Sequence, residues 1–231
     1  MPRIARVVAL GHPHHVTQRG NYQQDIFTDD HDRRKYLSIL ETESQKYGLK
    51  VLAYCLMTNH VHFIVVPERE DSMGAVFKYL NMKYSQYYNT RIGQGGHLFQ
   101  GRFHSCVMDE VYTIVCARYI ERNPVRAKMV KNAWDWQWSS AAAHCGLEVN
   151  DYLKVNRLFQ YIGLDHKLWR DFIAETDKRK DILQIKAQTC RGRPLAGADF
   201  VKRLEAKLDR SLTVKPRGRQ KEKKGKQMFR I

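Results

Sequence analysis

His60-Val61-His62 places two imidazoles two positions apart. On a β-strand, residues i and i+2 point to the same face, so the two rings emerge side by side. Neutral imidazole is a common metal ligand. Val61 would anchor the strand through its opposite face. The plainer reading is two polar residues on a half-exposed strand, since H-x-H is a short motif. Its position within the strand-like run His60–Val66 (HVHFIVV), rather than in a loop, favours the metal. Tyr119 and Asn123 are four apart and share one face of a helix, and Tyr112, seven residues before Tyr119, can share it too. A phenol can act as a covalent nucleophile when a metal or base assists it, although most helix tyrosines are packing residues. Asn123-Pro124 also has a structural explanation, because Asn is a favoured N-cap and Pro a favoured first helical residue.

Basic residues interleave with aromatics at Lys83, Tyr84, Tyr87 and Tyr88 and again at Phe99, Arg102 and Phe103. Cations neutralise phosphates and aromatic faces stack unpaired bases. At helical spacing the aromatics are more often core than platform. Arg217-Gly218-Arg219 can lie along a narrow minor groove or serve as a solvated phosphate-binding tail. Arg19, Lys83, Arg102, Arg217 and Arg219 are the candidate phosphate contacts. No phosphate loop, dinucleotide fingerprint, G-x-S-x-G or H-E-x-x-H occurs.

The charge balance agrees. Forty Lys and Arg oppose 24 Asp and Glu in 231 residues, a formal net charge of +16. Like charges repel and do not stabilise a fold, so the excess implies a polyanionic partner, nucleic acid before an anionic membrane. No apolar run approaches the ~18 residues of a spanning helix, and IARVVAL near the start is too short for a signal-peptide core. Cys55, Cys106, Cys116, Cys145 and Cys190 form no C-x-x-C pair. That argues against a disulfide framework or thiolate zinc site and for the reducing cytoplasm.

The elements that must position these residues can be read in order. Strands are expected at His14–Arg19, Lys50–Met57, His60–Val66 and Phe103–Met108, with Thr58-Asn59 turning a hairpin. Helices are expected at Asp29–Tyr47, from Asp71-Ser72 to about Thr90, and from Asp109-Glu110 through Arg122. This order predicts an α+β fold: a ferredoxin-like split β-α-β antiparallel sheet with an added C-terminal helix. The alternating Trp134, Trp136 and Trp138 suit an extended segment against the core. Helices follow around Val155–Tyr161, Lys167–Lys178 and Ala198–Leu208. The last 22 residues hold nine Lys or Arg against one Glu, half the net charge, a composition typical of disorder.

MTNHVHFIVVP (Met57–Pro67) resembles the HUH strand of the single-tyrosine insertion-sequence transposases. HHVTQRGN (His14–Asn21), HLFQGRFHS (His97–Ser105), YIERNPVRAKMV (Tyr119–Val130) and WQWSS (Trp136–Ser140) resemble landmarks of their relatives, the REP-associated tyrosine transposases. The resemblance covers roughly residues 1–145, in the family's order. It implies a ferredoxin-like catalytic domain at 1–145, and periodicity and composition mark off a mostly helical extension at 146–209 and a basic tail at 210–231. It also implies Mg²⁺ or Mn²⁺ on His60, His62 and Asn123, and Tyr119 as nucleophile with Tyr112 as fallback. The implied activity is cutting and rejoining of single-stranded DNA beside hairpins through a 5′-phosphotyrosine, by a homodimer associated with the bacterial nucleoid. A hairpin DNA- or RNA-binding regulator on the same fold, and a metal-dependent hydrolase using water, are the competing readings.

Overall fold

The computed structural model describes residues 6–147 and 165–213, with Leu153, Val155, Leu158, Phe159 and Gly163 between them. Four strands form one antiparallel sheet: β1 (His14–Arg19), β2 (Leu49–Leu56), β3 (His60–Pro67) and β4 (His104–Val107), in the order β2-β3-β1-β4. With α1 (Asp30–Tyr47) after β1 and α2 (Ser72–Ile92) after β3, this is the ferredoxin-like split β-α-β arrangement. Antiparallel neighbours and a helix that begins five residues after β3 leave little topological choice.

Side-chain alternation divides the sheet into two faces. Val16, Val61, Phe63 and Val65 pack with Tyr36, Leu40, Phe77 and Tyr84 of α1 and α2. Ile64 and Val66, with Leu52, Cys55 and Cys106, pack on the other face against α3 (Glu110–Glu121) through Cys116, Ala117 and Ile120. The period of two therefore sends His60 and His62 to the α3 face. Asp109 caps α3 by accepting from the Tyr112 N–H at 2.9 Å. A short turn of helix, α4 (Asn123–Arg126), follows with Pro124 at its start, and Arg122 is its cap residue.

The tryptophans only partly follow the expected extended segment. Trp134 sits in a 3₁₀ turn, Ala133–Asp135. Trp138 is buried beside β2, whose Leu56 N–H donates to the Trp138 carbonyl at 2.8 Å. Next come α5 (Ala141–His144), α6 (His166–Ala174), α7 (Arg179–Arg191) and α8 (Ala198–Leu208). The helix expected around Val155–Tyr161 lies largely outside the described residues, as does the tail from Val214 onward with Arg217 and Arg219.

No helix was expected at Arg179–Arg191. Its sequence, RKDILQIKAQTCR, carries too few apolar residues for a stripe, and only Ile185 and Thr189 are buried. It nonetheless lies on the α3 face of the sheet.

Candidate active site

Strand register sets the floor of the site. Arg19 stands opposite His60 and Thr17 opposite His62 on β1, while Cys55 stands opposite His62 on β2. The His60 and His62 rings lie 5.1 Å apart between centroids. Each ring is held by its Nδ1. The His60 Nδ1–H donates to Asn59 Oδ1 at 2.7 Å, and the Asn59 Nδ2–H in turn donates to the Gln23 carbonyl at 3.0 Å. His62 Nδ1 meets His15 Nε2 at 2.9 Å, and His15 Nδ1 meets Thr189 Oγ1 of α7 at 2.7 Å.

The roof is α3 and its continuation. The Tyr119 ring stands edge-on to His62 at 5.7 Å and to His15 at 6.1 Å. Asn123, one turn later, brings its side-chain amide to 3.4 Å from His60 Nε2. His60, His62, Tyr119 and Asn123, distant in sequence, thus converge within a single chain. Tyr112 points elsewhere on α3, where its hydroxyl accepts from Gln184 Nε2 at 2.9 Å.

Residues 10–123 match the family model described as "Transposase IS200 like". Through this stretch the chain belongs to the IS200-like transposase family. The domain is accordingly that of a transposase, an enzyme acting on DNA. Among solved structures, a REP-associated tyrosine transposase bound to a REP hairpin is 21% identical. That match covers 61% of this chain and 82% of the other, at a TM-score of 0.49. A protein of Deinococcus radiodurans R1, described as a candidate transposase, is 18% identical, covering 52% of this chain and 97% of the other at a TM-score of 0.37. No curated protein matches the chain.

Electrostatics in the IS200-like domain suit cation ligation by histidine. Burial, then the positive charges of Arg19, Lys186 and Arg126, push His60 down to about 4. Burial and the neighbouring His15 hold His62 well below the usual imidazole range. Both rings are therefore neutral at physiological pH, the form that offers a lone pair. Burial pushes the Tyr119 phenol up to about 12, with Arg126 pulling it the other way. The Arg126 guanidinium lies 4.3 Å above the Tyr119 ring and donates to the Tyr119 carbonyl at 2.6 Å.

Segments that follow the family-matched stretch clamp the helix that carries Tyr119. Glu121, fully buried, accepts from Ser140 Oγ at 2.5 Å and pairs with His144 Nδ1 at 2.5 Å through one oxygen. Its other oxygen accepts from Trp169 Nε1 at 2.9 Å. Arg118 donates to the carbonyls of Glu175 and Thr176. Arg122 and Arg126 both reach Asp177, at 3.1 and 3.3 Å. Sequence patterns do not mark His15, Thr189, Lys186, Arg126 or Glu121 as site residues, because each acts through a partner distant in the chain.

Of the candidate phosphate contacts, Arg19 is exposed at the end of β1 beside His60, and Arg102 is exposed in the loop before β4. Lys83 projects from α2, in the helical layer on the other face, where it pairs with Glu43 at 2.6 Å.

Proposed function

We propose that this transposase cuts and rejoins single-stranded DNA beside hairpins by covalent catalysis at Tyr119. The observation that carries the reading is the placing of the Tyr119 ring beside His62, with Asn123 against His60, in one chain of an IS200-like domain.

Two imidazole nitrogens and an amide oxygen can together hold a divalent cation, and Mg²⁺ or Mn²⁺ is the ion proposed. His60 has Nδ1 committed to Asn59, which leaves Nε2 toward Asn123. His62 has Nδ1 committed to His15, which leaves its Nε2 free to ligate. His60, His62 and the Asn123 amide oxygen, after rotation of the amide, would hold the ion. When bound, it would polarise a phosphate oxygen and stabilise charge in the transition state.

The phenol oxygen of Tyr119 bonds to phosphorus as the bond from phosphorus to the 3′-oxygen breaks. The phenolic proton ends on that 3′-oxygen, giving a 5′-phosphotyrosine and a free 3′-hydroxyl. Reversal by another strand's 3′-hydroxyl rejoins DNA without a nucleotide cofactor, because the phosphodiester energy is retained. Arg19 and Arg102 are proposed phosphate contacts, as are Arg217 and Arg219 in the tail. Pairing of two chains as a homodimer, and residence on the nucleoid, belong to the same reading. No helix among the described residues is long and apolar enough to cross a membrane.

The test is an adduct assay on a denaturing gel. Single strands and hairpins from the gene's own flanks are incubated with the protein and Mg²⁺ or Mn²⁺. A protein band carrying covalent DNA is expected, and Tyr119→Phe and His60→Ala should abolish it. Cleavage with free protein would instead indicate a hydrolase, and native-gel binding without an adduct a hairpin-binding regulator.

A further inference from the structure

The chain leaves β1 through a tight, strained loop. Tyr22 and Gln23 are consecutive non-glycine residues in the left-handed region, with φ of 50° and 62°. That conformation crowds Cβ against the backbone, and Asn tolerates it better than Tyr. Strain of this kind persists only where the surroundings impose it, and it concentrates at functional sites.

The surroundings do impose it here. The Asn21 N–H donates to the Leu98 carbonyl at 2.8 Å, and the Gly20 N–H to the Asn59 carbonyl at 2.9 Å. The Gln23 and Gln24 N–H groups close back onto Gly20 and Asn21. A Cβ on Gly20 would lie 2.2 Å from the Gln24 carbonyl oxygen, so the turn admits no side chain there. Asn59 ties the same loop to His60, accepting from one and donating to the other.

This rigid mount carries an aromatic ring that the fold does not use. Tyr22 is 93% exposed. Packing therefore gives no return for placing a tyrosine at a strained position where Asn or Gly would sit more easily. Arg19, three residues earlier, stands exposed opposite His60. The loop carrying Arg102 is joined to it where the Gln100 N–H meets the Arg19 carbonyl at 3.0 Å. An exposed aromatic face beside cations is the chemistry that holds single-stranded nucleic acid: cations track phosphates, and the ring stacks a base whatever its identity.

The geometry points to Tyr22 as a stacking platform for one unpaired nucleobase of the strand presented to the His60–Tyr119 site. This deepens the single-strand reading above and rests on it. Stacking on a ring whose backbone is already held by the loop's hydrogen bonds loses less conformational freedom on binding than stacking on a ring in a mobile loop.

The experiment measures fluorescence anisotropy of a labelled oligothymidylate, about sixteen nucleotides long, with the full chain. Tyr22→Asn should bind about 5- to 150-fold more weakly, while its melting temperature stays equal or rises. Tyr22→Trp should bind at least as well as the original protein. Equal affinity of Tyr22→Asn and the original protein overturns the platform and leaves the proposed function standing. A lowered melting temperature in Tyr22→Asn means that the ring is structural and also overturns it. Failure of the original protein to bind the oligonucleotide overturns the single-strand reading together with the platform.

Discussion

His15 Nε2 lies 2.9 Å from His62 Nδ1, inside the sheet face that carries the candidate metal ligands. For His62 Nε2 to offer its lone pair, Nδ1 must hold the proton and donate it to His15. His15 must then donate its own Nδ1–H to Thr189 Oγ1, 2.7 Å away. Such partners orient a ligating histidine and fix its tautomer. Thr189 belongs to α7, outside the family-matched stretch, so a residue of the extension would select the tautomer of a candidate ligand on β3.

Thr189→Val removes the acceptor at nearly constant volume. Mn²⁺ affinity, read by calorimetry, should fall about 10- to 100-fold, and Thr189→Ser should restore it. Nitrogen-15 spectra of the metal-free protein should show His62 protonated on Nδ1 and a mixed tautomer in Thr189→Val. An unchanged spectrum would rule out the relay even if metal binding were confirmed.

Arg126 lowers the Tyr119 pKa from above the ring, against the larger upward push of burial. Arg126→Gln should therefore move Tyr119 ionisation to higher pH. Ultraviolet difference titration against Tyr119→Phe measures this directly, and the pH profile of adduct formation should shift in the same direction. A profile that stays in place would mean that Arg126 matters for packing alone.

Glu121 is buried with three donors, from Ser140, His144 and Trp169. Removing one partner of a buried charged network leaves the others uncompensated. Glu121→Gln should cost about 3–5 kcal/mol by urea unfolding. Because Glu121 lies two residues from both Tyr119 and Asn123, adduct formation should fall with it. His144→Gln made alone and together with Glu121→Gln should show strong non-additivity.

Two buried histidines tilt stability in opposite directions with pH. Burial pushes His14 down to about 4, and its Nε2 accepts the Ala9 N–H at 3.2 Å. The unfolded chain then binds more protons below pH ~6.5, so this stability is lost as pH falls from there toward about 4. For His144, burial is outweighed by the Glu121 carboxylate and the pKa is raised. That contribution is complete below pH ~6.5 and is lost as pH rises through the raised value. Melting temperature should fall on both sides, and His144→Gln should flatten the alkaline limb only.

The segment from Arg210 onward holds half the net charge. Deleting it should make log affinity for DNA less steep in log salt, by roughly 0.7 for each single-strand phosphate that the tail neutralises. An identical slope would show that the tail neutralises none.

The sequence by itself determined the sheet and its order, because period-two runs, a two-residue turn and capped helices are local signals. It also determined that His60 and His62 share one face, opposite Val61, since alternation along β3 permits nothing else. The i, i+4 spacing of Tyr119 and Asn123 put them on one helix face, although their nearness to the histidines needed the docking of α3 on the sheet. Only the tertiary structure decided the rest. The α7 helix has a sparse apolar pattern, and its part in the site rests on Thr189 meeting His15, 174 positions away. Glu121 reads as an ordinary helix carboxylate until Ser140, His144 and Trp169 close around it. Tyr22 reads as an ordinary turn residue until its φ of 50° and its exposure are seen together. Local spacing reports the shape of one element, whereas tautomer, desolvation and strain depend on what other elements bring against it.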